Sequence, residues 1–102
     1  MKRNKGGVKV MEGTIWKKWN VRGIVQGVGF RHFVKNVARA IGVKGYVKNE
    51  MDGSVTIVAG GNSEQLNELF KRVMEGNGWS YITDYDEEIL PPQDYKDFHV
   101  EF

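Results

Sequence analysis

Cysteine is absent from the 102 residues. Its absence removes disulfide scaffolds, zinc–thiolate sites and any phosphatase chemistry that runs through a cysteine nucleophile. No apolar run approaches the roughly 20 residues that a membrane-crossing helix needs. The basic start is not followed by the apolar stretch of a secretory signal, so a cytoplasmic protein without a membrane partner is expected. Histidine is scarce: His32 and His99 lie far apart in sequence. Neither has a carboxylate at metal-ligand spacing, so both read as surface histidines, and no metal or other cofactor is expected. The two prolines are adjacent, Pro91-Pro92, and impose an extended or turned break. The length fits one small domain.

Positive charge is scarce where a nucleic-acid-binding domain would need it. Residues 1–18 hold six Lys/Arg against Glu12, a balance of +5, while the remainder holds nine basic and twelve acidic residues, a balance of −3. The basic character belongs to the leader, and the tail from Asp84 to Glu101 is acidic. No nucleic-acid partner is expected for the folded part, and a monomer is expected. Residues 1–16 read as a flexible basic extension, with Val8-Lys9-Val10-Met11 the stretch where a short extra strand would fit. Residues 17–102 read as the domain.

Within that domain, Trp19, Val21 and Gly23 alternate with polar residues, the pattern of a half-buried strand. Apolar residues then recur at Phe30, Phe33, Val34, Val37, Ala38 and Ile41, the stripe of an amphipathic helix, and Gly42 stops it. Val43 to Asn49 reads as the second strand, and Glu50-Met51-Asp52-Gly53 supplies a turn. Ser54 to Ala59 is the third strand, broken by Gly60-Gly61. Asn62 or Ser63 caps a second helix carried by Leu66, Leu69, Phe70, Val73 and Met74 and closed by Gly76. Ser80 to Ile89 reads as the fourth strand, and Phe98, Val100 and Phe102 alternate in a short last one. This order predicts an α+β fold, the ferredoxin-like split βαβ (βαββαβ): an antiparallel sheet with two helices on one face, plus a short C-terminal strand. Trp16, Trp19 and Trp79 read as core or edge packing. Lys44-Gly45-Tyr46-Val47 lacks the further alternating aromatics that an RNA-stacking strand carries.

The stretch that can carry chemistry is Gly23-Ile24-Val25-Gln26-Gly27-Val28-Gly29-Phe30-Arg31. It passes from a strand through two glycines into a helix start. Glycines let a backbone approach a ligand closely, the first helical turn leaves N–H groups unpaired, and Arg31 adds a planar fork of donors. Together these make an anion cradle. The ordinary alternative is a tight turn with a surface arginine. In the predicted topology Asn49, at the end of the second strand, sits near the cradle. Its ordinary alternative is a turn-flanking Asn bonded to its own backbone. A phosphate site without nucleophile, metal or strong base can hydrolyse only a phosphate whose leaving group departs unaided. A carboxylate, with a conjugate-acid pKa near ~4.3, does so. The protein then has to position the phosphate and neutralise its oxygens.

The order of residues in this stretch resembles the Gly-x-Val-Gln-Gly-Val-x-Phe-Arg signature of acylphosphatases. Gly45-Tyr46-Val47-Lys48-Asn49-Glu50-Met51-Asp52-Gly53-Ser54-Val55 resembles that family's second signature, at the family's spacing. The resemblance runs from Trp19 to Phe102. It departs at Gly76-Asn77-Gly78-Trp79, where the family usually carries a proline-containing turn. The resemblance implies the same fold, a small-molecule acyl phosphate as substrate, and hydrolysis to carboxylate and inorganic phosphate without metal or cofactor. It implies that Arg31 binds the phosphate with the backbone amides of Gln26, Gly27, Val28, Gly29 and Phe30. It implies that Asn49 holds the attacking water, with the substrate phosphate accepting the proton. The alternative is a non-catalytic phosphate- or RNA-binding ferredoxin-like module.

Overall fold

The computed structural model describes residues 13–102. Seven elements follow in order: β1 (Ile15–Ile24), α1 (Phe30–Ile41), β2 (Lys44–Asn49), β3 (Val55–Gly61), α2 (Ser63–Glu75), β4 (Tyr81–Leu90) and β5 (Phe98–Glu101). The strand expected at Val8 to Met11, and all but the end of the predicted extension, lie outside the described residues. No described helix is long and apolar enough to cross a membrane.

β1 starts earlier than the alternation from Trp19 suggests. Ile15 pairs with Gly61, and Trp16 lies between Gly60 and Leu90 in the sheet. Ile15 and Trp16, placed by the sequence in the extension, therefore belong to the sheet. The same contact corrects the reading of Gly60-Gly61 as a break. Both glycines are residues of β3, and a Cβ on Gly60 would collide with the Trp16 indole. The glycine seats a tryptophan and does not end the strand.

The sheet order is β4-β1-β3-β2-β5, with the first three pairings antiparallel. The expectation of a wholly antiparallel sheet fails at its edge, because β5 runs parallel to β2. The register explains the direction. Leu90, at the end of β4, and Lys44, at the start of β2, lie at the same end of the sheet through Trp16 and Gly60. A chain that crosses there from β4 enters β5 running the same way as β2.

The core lies between one sheet face and the two helices. Phe30, Val34, Val37 and Ala38 of α1 and Leu66, Leu69 and Val73 of α2 pack on Trp19, Val21, Val47, Val55, Ile57, Ala59 and Phe98. A leucine so buried contributes roughly 1.5–3 kcal/mol. Arg39 Nε donates to the Phe98 carbonyl at 2.8 Å and ties α1 to β5. The Trp19 indole donates to Glu87 at 2.8 Å, which, with Lys17 on the same carboxylate, holds Glu87 below the usual carboxylate range. On the other face, Trp16, Tyr46 and His99 gather around Tyr95, with ring centroids 5.6–6.0 Å from it. Trp79, expected in packing, is 77 % exposed. It sits in the α2–β4 turn, outside both layers.

Candidate active site

The buried Val25 fixes the end of β1, and the chain then turns through Gln26–Gly29 into α1. Gly27 and Gly29 take φ of 76° and 75°, a conformation that costs an L-residue roughly 1–2 kcal/mol. Gly29 is the N-cap of α1 and supplies no side-chain cap. The helix opens with the Phe33 amide on the Gly29 carbonyl at 3.1 Å. The amides of Phe30, Arg31 and His32 therefore have no partner within the helix. No acidic residue stands in the first turn, so the positive end of the helix dipole is not offset there.

Two side chains hold this loop from opposite sides. Gln26 Nε2 donates to the carbonyls of Glu50 and Ser54, each at 2.8 Å. Its side chain is thereby committed to the β2–β3 turn, and only its backbone is left for the cradle. From the α2–β4 turn, Asn77 Nδ2 donates to the Val28 carbonyl at 2.9 Å, while Asn77 Oδ1 accepts from the amides of Trp79 and Ser80, each at 2.9 Å. Asn77 lies in the stretch that departs from the family pattern, and the sequence reading assigned it no role. Its place between two glycines, just after a helix, was the available signal.

The β2–β3 turn is itself stiffened. Asp52 Oδ1 accepts from the Ser54 hydroxyl at 2.6 Å and from the Ser54 amide at 2.9 Å. These bonds hold the Asp52 carboxyl below its ordinary range. The turn begins after Asn49, next to the Glu50 carbonyl that Gln26 grips. Asn49 Oδ1 is buried and accepts no hydrogen bond among the described residues. This oxygen thus does not make the local backbone bond of the ordinary reading.

A pocket of about 390 Å³ opens at the start of α1. Gly27, Gly29, Phe30 and Arg31 of the predicted cradle line it; Gln26, Val28 and Asn49 do not. The sequence reading placed His32 on the surface. His32 is exposed, yet it belongs to the pocket wall, as does Lys35 one helical turn beyond Arg31. Val25, Val100 and Phe102 supply the apolar side. The Arg31 guanidinium sits 5.2 Å from the centre of the Phe102 ring, a cation–π contact that steadies it. The alternation of Phe98, Val100 and Phe102 was legible in sequence, but not its arrival at this helix. His99 also differs from expectation. Its Nε2 is 3.0 Å from Glu101 and its Nδ1 3.5 Å from Asp97, because alternate residues of a strand share a face. Among the described residues no three His, Asp or Glu side chains form a group able to hold a metal ion.

The sequence model of the acylphosphatase family matches residues 17–100. The chain belongs to the acylphosphatase family. An acylphosphatase of Fervidobacterium nodosum is 84 % identical over 88 residues, which are 86 % of this chain and 97 % of that one. Among solved structures, the acylphosphatase of Coxiella burnetii superposes with a TM-score of 0.85 at 29 % identity, covering 93 % of this chain and all of that one. The Bacillus subtilis acylphosphatase gives 0.82 at 32 % identity, covering 86 % and 99 %. The acylphosphatase fold is thus kept although the α2–β4 turn lacks the family's usual proline.

Proposed function

We propose that the start of α1 is the catalytic centre of an acylphosphatase, an activity that family membership supports, and that its residues divide the work as follows. The amides of the Gln26–Phe30 loop and the Arg31 guanidinium bind the phosphate of a small-molecule acyl phosphate. The Asn49 side chain holds the attacking water and aims its lone pair at phosphorus. The water oxygen forms the new P–O bond, the bond from phosphorus to the acyl oxygen breaks, and the carboxylate leaves without a general acid. The proton of the water passes to a phosphate oxygen. The observation that carries this reading is the uncapped helix start, with Arg31 beside unpaired amides and no carboxylate in the pocket wall.

The RNA-binding alternative is not favoured. Tyr46, Tyr95 and Trp16 pack on one another on the sheet face where bases would stack, and the acidic balance of residues 19–102 repels phosphates. Self-association along the β4 edge is opposed by Asp84, Asp86 and Glu88, as charges on an edge strand oppose pairing; the monomer is therefore the proposed working unit. The test is turnover of benzoyl phosphate, with and without chelator, beside an alkyl monoester such as glycerol phosphate. The expected result is chelator-insensitive release of phosphate from benzoyl phosphate alone. Inertness toward benzoyl phosphate overturns the assignment. Inactivation by chelator, or brisk turnover of the monoester, shows that a metal or an acid takes part.

A further inference from the structure

Seven asparagines occur in the chain, and only Asn77 is followed by glycine. A peptide nitrogen that belongs to glycine has no side chain guarding its approach to the preceding carboxamide. Gly78 is exposed, and nothing lies within 4 Å of where its Cβ would stand. The turn also sets the carboxamide for attack. Asn77 Oδ1 accepts from the Trp79 amide at 2.9 Å, an Asx turn that folds the side-chain carbonyl back over the Asn77–Gly78 peptide. The Ser80 amide donates to the same oxygen at 2.9 Å. Two donors on one carbonyl oxygen stabilise the negative charge it acquires when its carbon is attacked. These bonds, with the Asn77 amide on Ser80 Oγ, leave out the Gly78 amide, so its nitrogen is free to be the nucleophile. Asp52-Gly53 is the corresponding aspartate pair. Bonds from Ser54 hold its carboxyl ionised, and a carboxylate is a poor target for a nucleophile.

We propose that Asn77-Gly78 is a self-modification site whose product retires the anion cradle as the protein ages. The Gly78 nitrogen bonds to Asn77 Cγ and loses its proton, the Cγ–Nδ2 bond breaks, and ammonia leaves with that proton. Water then opens the five-membered imide at either carbonyl, giving aspartate or its β-linked isomer, so water is the sole co-reactant. The group lost is the one that donates to the Val28 carbonyl at 2.9 Å. A carboxylate in its place faces that carbonyl oxygen with no proton to offer, and one grip on the cradle loop becomes a repulsion. The new charge also stands beside Gly29, since Asn77 Nδ2 lies 3.8 Å from where a Cβ on Gly29 would be. It has the same sign as a phosphate. The loss of activity rests on the cradle reading above; the chemistry at Asn77 does not.

The experiment incubates the protein at mildly alkaline pH, folded and in parallel unfolded in urea, and follows each asparagine by peptide mass spectrometry. The folded chain is expected to convert at Asn77 while the other six asparagines stay intact, and benzoyl phosphate turnover falls in step. Asn77→Gln, whose longer side chain closes a ring slowly, holds its starting turnover through the same incubation. Asn77→Asp reproduces the aged protein. Its kcat falls at least as far as that of Asn77→Ala, and inhibition by inorganic phosphate weakens further, with added salt narrowing that difference. An intact Asn77 in the folded chain, where the unfolded chain converts, overturns the proposal, because the turn then protects the residue. Conversion without loss of turnover, or an Asn77→Asp variant that matches wild type, overturns it as well. If wild type is inert toward benzoyl phosphate, the hydrolase reading falls separately, and the mass spectra together with phosphate binding by calorimetry still decide this one.

Discussion

α2 begins at Asn62, whose side chain accepts the Gln65 amide while Gln65 returns a bond to the Asn62 amide. α1 begins at Gly29, which has no side chain to offer and sits in the left-handed region. Glu64 stands in the first turn of α2, and nothing acidic stands in that of α1. The two helices pack side by side on the same sheet face, so their surroundings do not account for the contrast. Helix α2 spends its free donors internally and gains stability, on the order of 1 kcal/mol for such a cap. Helix α1 forgoes that gain and leaves its first donors without a side-chain cap, as the proposed anion cradle requires. The structure also spends Gln26 and Asn77 on holding the open start still. An open helix end that is held rigid, with a guanidinium beside it, has the preorganisation that the proposed phosphate site needs.

The largest effect is expected where the contrast is broken at its charge. Arg31→Ala should abolish detectable turnover of benzoyl phosphate and weaken competitive inhibition by inorganic phosphate. Arg31→Lys should also be poor, since an ammonium cannot replace a planar fork of donors. Steady-state kinetics on both variants decides this. Near wild-type turnover in either would detach the open end of α1 from catalysis.

Asn49→Ala should come next, lowering kcat about 10²-fold, the scale on which one preorganised polar group acts. Because Asn49 is uncharged and its proposed role is to aim water, the inhibition constant for phosphate should move far less than in Arg31→Ala. Asn49 precedes a turn, so melting temperature is measured alongside. A kcat loss matched by an equal loss of phosphate binding would make Asn49 a phosphate ligand and not a water holder.

Much of this was legible in the sequence because it is local. The α1 stripe, Gly42 as its stop, the paired glycines before Arg31, and Asn49 at the end of β2 all depend on residues a few positions apart. What could not be read depends on distant partners. Gly60 looks like a breaker until Trp16 is seen lying over it. β5 looks like one more antiparallel strand until the register shows where β4 ends. His32 reads as a surface histidine until Val100 and Phe102 arrive beside it in the wall of a pocket on α1. Asn77 meets Val28 across 49 positions, and its flanking glycines mark a turn without naming that partner.

Asn77 tests the rigidity half of the contrast. Asn77→Ala leaves the Val28 carbonyl and the Trp79 and Ser80 amides without their partner. The loop keeps its glycines and Arg31 but loses one of its two grips. We expect kcat for benzoyl phosphate to fall about tenfold, less than the 10²-fold that a full 1 Å misplacement can cost. Phosphate inhibition should weaken only slightly. Kinetics at a temperature well below unfolding checks this, and an unchanged kcat would mean that Gln26 alone positions the loop.

The smallest effect is expected at the other helix, and it shows whether the two ends are separable. Asn62 is exposed and outside the pocket, so Asn62→Ala should act on stability alone. It removes the acceptor for the Gln65 amide and leaves Gln65 without its reciprocal geometry. A loss of about 1 kcal/mol corresponds to a fall in Tm of roughly 4–8 °C in a domain of this size. Asn62→Gly should lose only a few tenths of a kcal/mol, since glycine is tolerated at an N-cap. The kcat for benzoyl phosphate should stay within twofold of wild type in both, because no bond links Asn62 to the cradle. The open α2 start in Asn62→Ala should also gain no phosphate affinity: it lacks an arginine and keeps Glu64. Calorimetry and kinetics on the same preparations measure the two quantities together. If kcat fell with Tm, the two helix starts would be coupled through the shared core, and the division between a stabilising end and a working end would not hold.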